Sequence, residues 1–200
     1  MTRGVCLIAY GAKATQQADQ CITSLRKYHD WPACVAGMTK QIEQQANYTD
    51  IQRSRWAKVT LDQWSPFDDT LYLDADTRVQ GDLSKGFEML ADGWDMLITA
   101  SPQQGKENMW HIGQRERETT LEMYQCGAVL QLQGGVFWFR KSEAVRRFFA
   151  AWRAAWKCFE QFDQAALLRA LRDAPVKLHL LGRPYNGGAV VVHRHGQAVR

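Results

Sequence analysis

The sequence is organised around residues 71–79, Leu71-Tyr72-Leu73-Asp74-Ala75-Asp76-Thr77-Arg78-Val79. Its first half is a short apolar run with an aromatic residue, typical of a buried strand in a mostly parallel sheet. Asp74 and Asp76 follow at alternate positions, and on extended backbone they would project to the same side. Burying two like charges is costly unless a cation accompanies them. Carboxylates suit magnesium or manganese, and two of them leave coordination positions for water and phosphate oxygens. The stretch therefore predicts a site for a metal ion and a nucleotide.

The composition is that of an ordinary globular protein. The 200 residues most simply form one domain, residues 1–200, and 46% of them are hydrophobic, which excludes a disordered or fibrous chain. The net charge of +4 fits attraction to anionic ligands such as nucleotides, without the clustered Lys and Arg of a dedicated nucleic-acid binder. The five cysteines show no C-x-x-C spacing, and neither a signal peptide nor a membrane span is recognisable. We therefore expect a soluble, cytoplasmic protein with reduced thiols.

Apolar runs and helical periods alternate along the chain, which predicts an α/β fold. A long polar stretch, residues 103–122, is expected to be a functional loop, and residues 40–48 a solvated loop or short helix. We expect strands at 5–9, 33–38, 71–73, 95–100, 128–132, 134–139 and 190–192, and helices at 15–28, 49–64, 83–90, after Ser142 and after Asp163.

An apolar strand ending in Asp-x-Asp resembles the motif of nucleotide-sugar glycosyltransferases of the GT-A fold, and residues 71–77 are similar to the glycogenin and galactosyltransferase-like branch. The resemblance implies a GT-A (Rossmann-like) fold, a three-layer sandwich around a mostly parallel central sheet. It also implies a metal-dependent glycosyltransferase that moves a sugar, a hexose or a pentose, from a nucleoside-diphosphate sugar to an acceptor. Asp74, Ala75 and Asp76 would hold the donor diphosphate together with Mn²⁺ or Mg²⁺. Uridine is the commonest base in that branch, which implies a UDP-linked donor and a retaining reaction.

Two further stretches resemble donor-binding parts of the family. Arg55 and Lys58 lie on one helix face ahead of the central strand, where members carry a basic pair that binds the donor diphosphate, and Lys58 fits that place best. The same face could equally be a solvated surface. Ala9, Tyr10 and Gly11 end the first strand and would flank the nucleotide base, the alternative being a plain strand-to-helix turn.

Residues near the transferred sugar are implied by two more matches. Residues 133–136, Gln-Gly-Gly-Val, resemble the family's Asn-x-Gly-Val segment, which lines the sugar pocket, although Gln and Gly stand where Asn is often found. Gly134 and Gly135 permit close backbone approach by a ligand. Asp163 and Gln164 resemble the active-site pair beside the transferring sugar, so we predict a catalytic role for both. Asp163 is also expected to cap the helix that it begins.

The last match concerns the metal. An apolar strand followed by His-x-x-Gly resembles the family's late motif, whose His completes the metal shell. The spacing to Gly196 selects His193, and His195 is the reserve candidate because it points the same way along an extended strand. A single His is more often structural, but here two follow a buried strand in a chain with two metal carboxylates. The predicted metal ligands are Asp74, Asp76 and His193.

Two other classes of protein compete with this interpretation. Phosphatases of the haloacid dehalogenase type also use an apolar strand ending in Asp-x-Asp, but their signature has Thr or Val at the position of Arg78 in this chain. A transferase that glycosylates modified bases in DNA is favoured by the net positive charge and by Lys106, Arg115 and Arg117. The sequence leaves the acceptor open among a glycan, a small molecule and modified DNA, and it leaves the oligomeric state open.

Overall fold

The structure is a computed structural model and describes residues 1–37, 47–101, 109, 111–126 and 129–194. The strands in this part of the chain are β1 (Arg3–Ile8), β2 (Ala33–Ala36), β3 (Asp69–Leu73), β4 (Thr77–Val79), β5 (Met96–Ala100), β6 (Leu132–Arg140), β7 (Leu178–Leu181) and β8 (Val191–His193). The helices are α1 (Ala12–Leu25), α2 (Asp50–Val59), α3 (Leu61–Trp64), α4 (Ser84–Ala91), α5 (Gln114–Tyr124), α6 (Glu143–Lys157) and α7 (Asp163–Asp173). A short 3₁₀ turn covers Arg183–Tyr185.

Six strands form the central sheet in the order β2-β1-β3-β6-β5-β7. Strand β1 pairs in parallel with β2 and β3, and β5 pairs in parallel with β7. Strand β6 lies antiparallel to both β3 and β5, so it alone runs against the other five described strands of this sheet. Parallel neighbours require crossover connections, which the helices supply. The predicted mostly parallel α/β sheet is confirmed.

Helices cover both faces of the sheet, as the three-layer prediction requires. Because side chains alternate along a strand, Leu71 and Leu73 of β3 pack on one face with α1 and α4. Tyr72 packs on the other face with α6 and α7. The apolar stripe of α6 is almost completely buried there, including Trp152 and Trp156. These tryptophans therefore fill the core.

The helix expected over 49–64 is two helices. Thr49 begins α2 with a capping box, in which its hydroxyl accepts from the backbone of Gln52 and the Gln52 side chain bonds back. The chain breaks at Thr60, whose hydroxyl donates to the Trp56 carbonyl at 2.8 Å. The indole of Trp64 donates to the Ala57 carbonyl at 2.7 Å. The Ala57 carbonyl therefore accepts from a side chain where a continuous helix would present it to the Leu61 amide, whereas the Trp56 carbonyl still accepts from the Thr60 amide at 3.1 Å.

One further boundary differs from expectation. The predicted strand pair 128–132 and 134–139 is wrong, because one strand, β6, crosses between β3 and β5. Residues 127–128 lie outside the described residues, as do residue 38 of the expected second strand and residues 40–46.

None of the described helices is long and apolar enough to cross a membrane. All five cysteines lie in described ranges, and none of them forms a disulfide.

The polar stretch 103–122 was expected to be a loop, but Gln114–Tyr124 form the helix α5. Its buried face is polar: Glu116 and Thr120 each bond to Arg169 of α7 at 2.7 Å. Because the residues that α5 buries are polar and pair with an arginine, they leave no apolar period in the sequence. Residues 102–108 and 110, including Lys106, lie outside the described residues.

Candidate active site

The Asp-x-Asp segment forms a tight turn at the carboxyl end of β3. The Thr77 amide donates to the Asp74 carbonyl at 3.0 Å, and the Thr77 hydroxyl donates to the same oxygen at 2.7 Å. The Asp74 amide donates to the Gly135 carbonyl of β6 at 2.8 Å. The expectation that Asp74 and Asp76 share a side through extended backbone is wrong. Instead, a turn at residues 75–76 brings the two carboxylates together.

His193 meets these carboxylates because β8 pairs with β4, with His193 opposite Thr77. Its Nε2 lies 3.1 Å from Oδ1 of Asp76 and 3.7 Å from Oδ2 of Asp74. One ligand atom from each of the three side chains lies within 4.8 Å of the other two. Burial lowers the pKa of His193, but the hydrogen bond to Asp76 and the charge of Asp74 outweigh burial and raise it. The three groups predicted to bind metal therefore come together.

Asn186 orients the His193 ring. Oδ1 of Asn186 lies 2.7 Å from Nδ1 of His193, and the Asn186 amide donates to the Thr99 hydroxyl at 3.1 Å. With its amide nitrogen used in this way, Asn186 presents an acceptor to the ring, so Nδ1 carries the proton. Nε2, which lies 3.1 Å from Asp76, is then the ring nitrogen available to a metal ion once it has lost its proton. Two carboxylates and one oriented imidazole fit a divalent cation.

Lys58 is a buried cation at the centre of the site, so the surface-charge alternative is wrong. It is 9% exposed, and Nζ lies 2.9 Å from Oδ1 of Asp74, 3.3 Å from Oδ2 of Asp163 and 3.3 Å from the Gly134 carbonyl. Burial lowers the pKa of Lys58, but the charges of Asp163 and Asp74 outweigh burial and raise it. The side chain therefore joins the metal carboxylates to the predicted catalytic residue.

Asp163 is the first residue of α7, and the N-cap is Phe162, so the capping prediction is wrong. The carboxylate points to Lys58 instead. Burial raises the pKa of Asp163, but Lys58 and Arg55 outweigh burial and lower it, so the group is ionised. Arg55 also stacks over the Phe162 ring, with 4.7 Å from its guanidinium carbon to the ring centroid. Arg55 thus reaches the same cleft as Lys58.

The two glycines of β6 lie directly against the charged side chains. A Cβ atom at Gly135 would lie 2.3 Å from Cε1 of His193 and 2.9 Å from Oδ2 of Asp74. A Cβ atom at Gly134 would lie 3.6 Å from Oδ2 of Asp163, an ordinary contact. Close approach therefore requires glycine at position 135.

An open cleft of about 250 Å³ lies beside these groups. It contains Lys58, Arg55, Asp74, Ala75, Asp76 and Asp163 from the predicted set, and also Ile8, Gln17, Ile51, Ser54 and Tyr72, which the sequence reasoning missed. Alternation along β1 and helical spacing along α2 would have favoured Ile8, Ile51 and Ser54 as lining residues.

Ala9, Tyr10 and Gly11, at the end of β1, were expected to flank the nucleotide base. Ala9 is 1% exposed and faces the core, and Tyr10 is partly buried. Gly11 has a φ of +84° and a Cβ atom there would lie 3.1 Å from Oδ2 of Asp50, so it sits against the start of α2. Glycine is the residue that adopts this conformation without strain. None of these three residues lines the cleft.

Gln164 is turned away from the cleft that holds Asp163. Its amide donates to Oε1 of Gln133 at 3.0 Å, and its carbonyl oxygen lies 2.7 Å from Nε2 of His111. His111 was missed because it lies in the stretch expected to be a loop. The reserve ligand His195 and Gly196 lie outside the described residues.

Comparison of the sequence with protein-family profiles and with characterised proteins finds no match. Comparison of the structure with solved structures finds glycosyltransferases. Mouse xyloside xylosyltransferase 1 aligns with a TM-score of 0.59 at 12% identity, over 93% of this chain and 87% of that one. An active-site mutant of LgtC aligns with a TM-score of 0.64 at 14% identity, over 98% and 88%. A glycosyltransferase involved in glycosylation of the major capsid of PBCV-1 aligns with a TM-score of 0.62 at 12% identity, over 99% of this chain and 95% of that one.

The chain has the GT-A fold. This confirms the fold predicted from the Asp-x-Asp strand and the predicted likeness to GT-A glycosyltransferases. In the GT-A sheet of this chain, the turn after β3 lies where open α/β sheets bind their ligands, at the carboxyl ends of strands. The identities lie far below the level at which a shared reaction follows, so the activity rests on the site itself.

Proposed function

We propose that this chain is a glycosyltransferase that uses a nucleoside-diphosphate sugar and a divalent metal ion. The observation that carries the proposal is the convergence of Asp74, Asp76 and His193 beside Lys58, at the ligand-binding edge of a GT-A sheet. Negative ligands for a cation and a fixed positive side chain next to them would suit a diphosphate that binds together with a metal ion. The galactosyltransferase LgtC, which has a similar fold, has been crystallised with donor and acceptor sugar analogues.

Each predicted residue receives a role in this proposal. Asp74 and Asp76 would hold the donor diphosphate through a metal ion, with Ala75 lining the cleft beside it and Lys58 and Arg55 contributing positive charge. The nucleotide base would lie towards Ala9, Tyr10 and Gly11, and the sugar over Gly134 and Gly135. Manganese fits the ligand set of carboxylate and imidazole, and uridine is the base that we propose from the family resemblance.

Sugar transfer breaks the bond between the sugar C1 and the diphosphate oxygen, and its electron pair leaves with the nucleoside diphosphate. A hydroxyl oxygen of the acceptor bonds to C1, and the hydroxyl proton is released. A divalent ion bound at this site supplies positive charge to the leaving diphosphate. Lys58 supports the same charge, and ionised Asp163, held by Lys58 at 3.3 Å, would orient the sugar or the acceptor. Gln164 would act on the opposite side, towards the acceptor.

Thermal unfolding with a panel of nucleoside diphosphates, each with and without Mn²⁺, tests the proposal. A ligand at 100 times its Kd adds about 2.7 kcal/mol, which in a chain of this size raises the midpoint by roughly 5 to 10 °C. We expect one nucleotide to stabilise the protein only when Mn²⁺ is present. The shift should disappear in Asp76→Ala and persist in Asp92→Ala, a change of an exposed aspartate at the end of α4.

The same samples distinguish a glycosyltransferase from the phosphatase alternative. If no nucleotide shifts the midpoint and the protein hydrolyses a generic phosphate ester such as p-nitrophenyl phosphate, the transferase proposal is wrong. The DNA-directed alternative predicts binding to duplex DNA that weakens steeply with salt.

A further inference from the structure

Arg78, in the middle of β4, has no role in the proposed function, although it belongs to the Asp-x-Asp stretch. Its side chain is half-buried, and its guanidinium contacts both the turn that carries Asp74 and Asp76 and the helix α1. A positive charge beside a cation site opposes the binding of the cation. Its presence next to these carboxylates therefore requires a physical reason.

The guanidinium of Arg78 holds the backbone on both sides of Asp76. Nη1 donates to the Thr77 carbonyl at 2.6 Å and to the Ala75 carbonyl at 3.2 Å. Hydrogen bonds from a charged donor are stronger than those between neutral groups. Because Asp76 lies between the two bound carbonyls, its backbone is restrained while both bonds are made. That backbone sets the direction of the Asp76 carboxylate, whose Oδ1 lies 3.1 Å from Nε2 of His193.

The same guanidinium is anchored to α1. Nη1 also donates to the Gln17 carbonyl, at 3.4 Å, and Nη2 donates to Oε1 of Gln20. A planar guanidinium presents several N–H groups in a fixed arrangement, so one side chain can bind two segments of the chain at once. Gln17 lines the charged cleft. Arg78 therefore joins one wall of the cleft to the turn with the metal carboxylates.

Helix α1 is a firm support for this contact. Cys21 and Ser24 of α1 are buried, and both bond to β4. Sγ of Cys21 lies 3.3 Å from the Thr77 hydroxyl, and the Val79 amide donates to the Ser24 hydroxyl at 2.9 Å. The segment that anchors Arg78 is thus fixed independently of the guanidinium.

The charge of Arg78 and its hydrogen bonds act on a bound cation in opposite directions. Burial lowers the pKa of Arg78, whereas the charge of Asp76 raises it, so the two side chains interact electrostatically. As a charge alone, Arg78 would weaken the binding of a cation at Asp76. As a support for the turn, it would strengthen binding, because groups that orient metal ligands contribute strongly to metal affinity. The sign of the change on its removal distinguishes the two roles.

We propose that Arg78 is a positioning residue of the metal site, which fixes the Asp-x-Asp turn against α1 so that Asp76 faces His193 before a metal ion binds. The inference rests on the proposed function, because it concerns the metal ion of that reaction. The advantage is preorganisation: an ion that finds the turn already ordered does not have to order it on binding.

Two substitutions at position 78 test the sign. Arg78→Met removes the charge and the hydrogen bonds, whereas Arg78→Lys keeps the charge but has a single nitrogen in place of the fork. We expect the Kd for Mn²⁺, measured by electron paramagnetic resonance, to rise at least about tenfold in both variants. An unchanged or lower Kd in either variant overturns the proposal. Arg26→Lys, at an exposed arginine that donates to the Trp31 carbonyl, is the matched control and should leave the Kd unchanged.

A second pair of variants leaves every charge in place. Gln20→Ala removes the side chain that binds Nη2 of Arg78, and Gln16→Ala removes an exposed glutamine one turn earlier on α1. Gln20→Ala should raise the Kd for Mn²⁺ about threefold, within the range of one hydrogen bond, and Gln16→Ala should leave it unchanged. Added to Arg78→Met, Gln20→Ala should have no further effect. Equal Kd values in the two glutamine variants show that α1 does not anchor the guanidinium, and they overturn the proposal.

Amide hydrogen exchange in the metal-free protein measures the turn directly. The Thr77 amide donates to the Asp74 carbonyl across the turn. Arg78→Lys should speed its exchange at least about tenfold, because the turn opens more often. The Asp92 amide, which donates to the Glu88 carbonyl at the end of α4, should exchange at an unchanged rate. Equal exchange of the Thr77 amide in the two proteins contradicts the proposal.

The Mn²⁺ titration separates a failure of this inference from a failure of the proposed function. If the unsubstituted protein binds Mn²⁺ and the Arg78 variants bind it equally well, the positioning role is wrong and the proposed function stands. If the unsubstituted protein binds no Mn²⁺, with or without a nucleoside diphosphate, the metal-dependent function is wrong and the role of Arg78 falls with it.

Discussion

The Tyr72 hydroxyl donates a hydrogen bond of 2.6 Å to Oδ1 of Asp74, the same oxygen that lies 2.9 Å from Nζ of Lys58. Two contacts therefore hold one oxygen of this carboxylate and leave Oδ2 facing His193. Burial raises the pKa of Tyr72, and the charge of Asp74 raises it further, so the hydroxyl remains a donor. Residues that orient metal ligands in this way contribute strongly to metal affinity.

Tyr72→Phe removes the hydrogen bond and keeps the ring. We expect Mn²⁺ affinity to fall about tenfold, because Asp74 loses one of the contacts that aim its free oxygen. Electron paramagnetic resonance of Mn²⁺ gives the Kd directly, without an activity assay. Tyr10→Phe is the control, since the Tyr10 hydroxyl has no hydrogen-bond partner in the described part of the chain. An unchanged Kd in Tyr72→Phe would contradict this orienting role.

Gly135→Ala and Gly134→Ala form a matched pair on β6. The first places a methyl group 2.3 Å from His193 and should weaken Mn²⁺ binding at least about tenfold, because the ring must move. The second meets its nearest atom at 3.6 Å and should bind Mn²⁺ nearly normally. The same titration measures both variants. Equal loss in the two would show that the strand, and not the contact with His193, controls the site.

Lys58→Met should destabilise the metal-free protein, because it leaves Asp74 and Asp163 without their shared cation. Breaking a buried pair costs about 3 to 5 kcal/mol, and we expect the lower end because water reaches part of both carboxylates. Urea unfolding measures the change in the free energy of unfolding. Lys85→Met, in an exposed ion pair on α4, should change it by less than about 1 kcal/mol.

A second substitution shows whether charge is the cause. Adding Asp163→Asn to Lys58→Met removes one of the two unpaired carboxylates, so part of the lost stability should return. The control is Asp163→Asn in the otherwise unchanged protein. If Asp163→Asn lowers the free energy of unfolding by the same amount with and without Lys58→Met, the loss comes from packing and not from charge.

The stability of the metal-free protein should depend on pH through His193. Its pKa is raised in the folded state, so its contribution is fully present below the ordinary value near 6.5 and is lost as pH rises through the folded pKa. We expect the difference in free energy of unfolding between the protein and His193→Gln to shrink as the pH rises from about 6.5 through the folded-state pKa of His193. The comparison cancels the contribution of His29, whose pKa burial lowers. A difference that is constant with pH would contradict the prediction.

Mn²⁺ should reverse this loss, since unprotonated Nε2 is the form that binds metal. Mn²⁺ should therefore stabilise the protein more at a pH above the folded-state pKa of His193 than at a pH below it. The measurement is the thermal midpoint with and without Mn²⁺ at each pH. Stabilisation that is largest at low pH would show that His193 is not a ligand.

Local patterns predicted the parts of this molecule whose causes are local. The apolar run before Asp74 is a central strand, and the helices α2 and α6 begin where the sequence predicted a helix, at residue 50 and after Ser142. Each follows from alternation, helical period or capping chemistry within a few residues. The family resemblance added His193, which no local rule would have joined to the aspartates.

Other features depend on partners far along the chain. The helix α5 was missed because its buried face is polar and is paired with Arg169 of α7. Lys58 could not be told from a surface lysine, since only the folded chain brings Asp74 and Asp163 to its ammonium group. The separation of Gln164 from the donor cleft likewise depends on how α7 packs on β6.

The sequence by itself therefore determined the α/β order of elements, the central strand and the identity of the charged residues, because backbone preferences and hydrophobic periods act over short ranges. The tertiary structure alone decided which charges meet, which oxygen of Asp74 stays free for a ligand and where apolar surface remains exposed. Those outcomes depend on burial and on distances between elements, and a linear pattern contains neither.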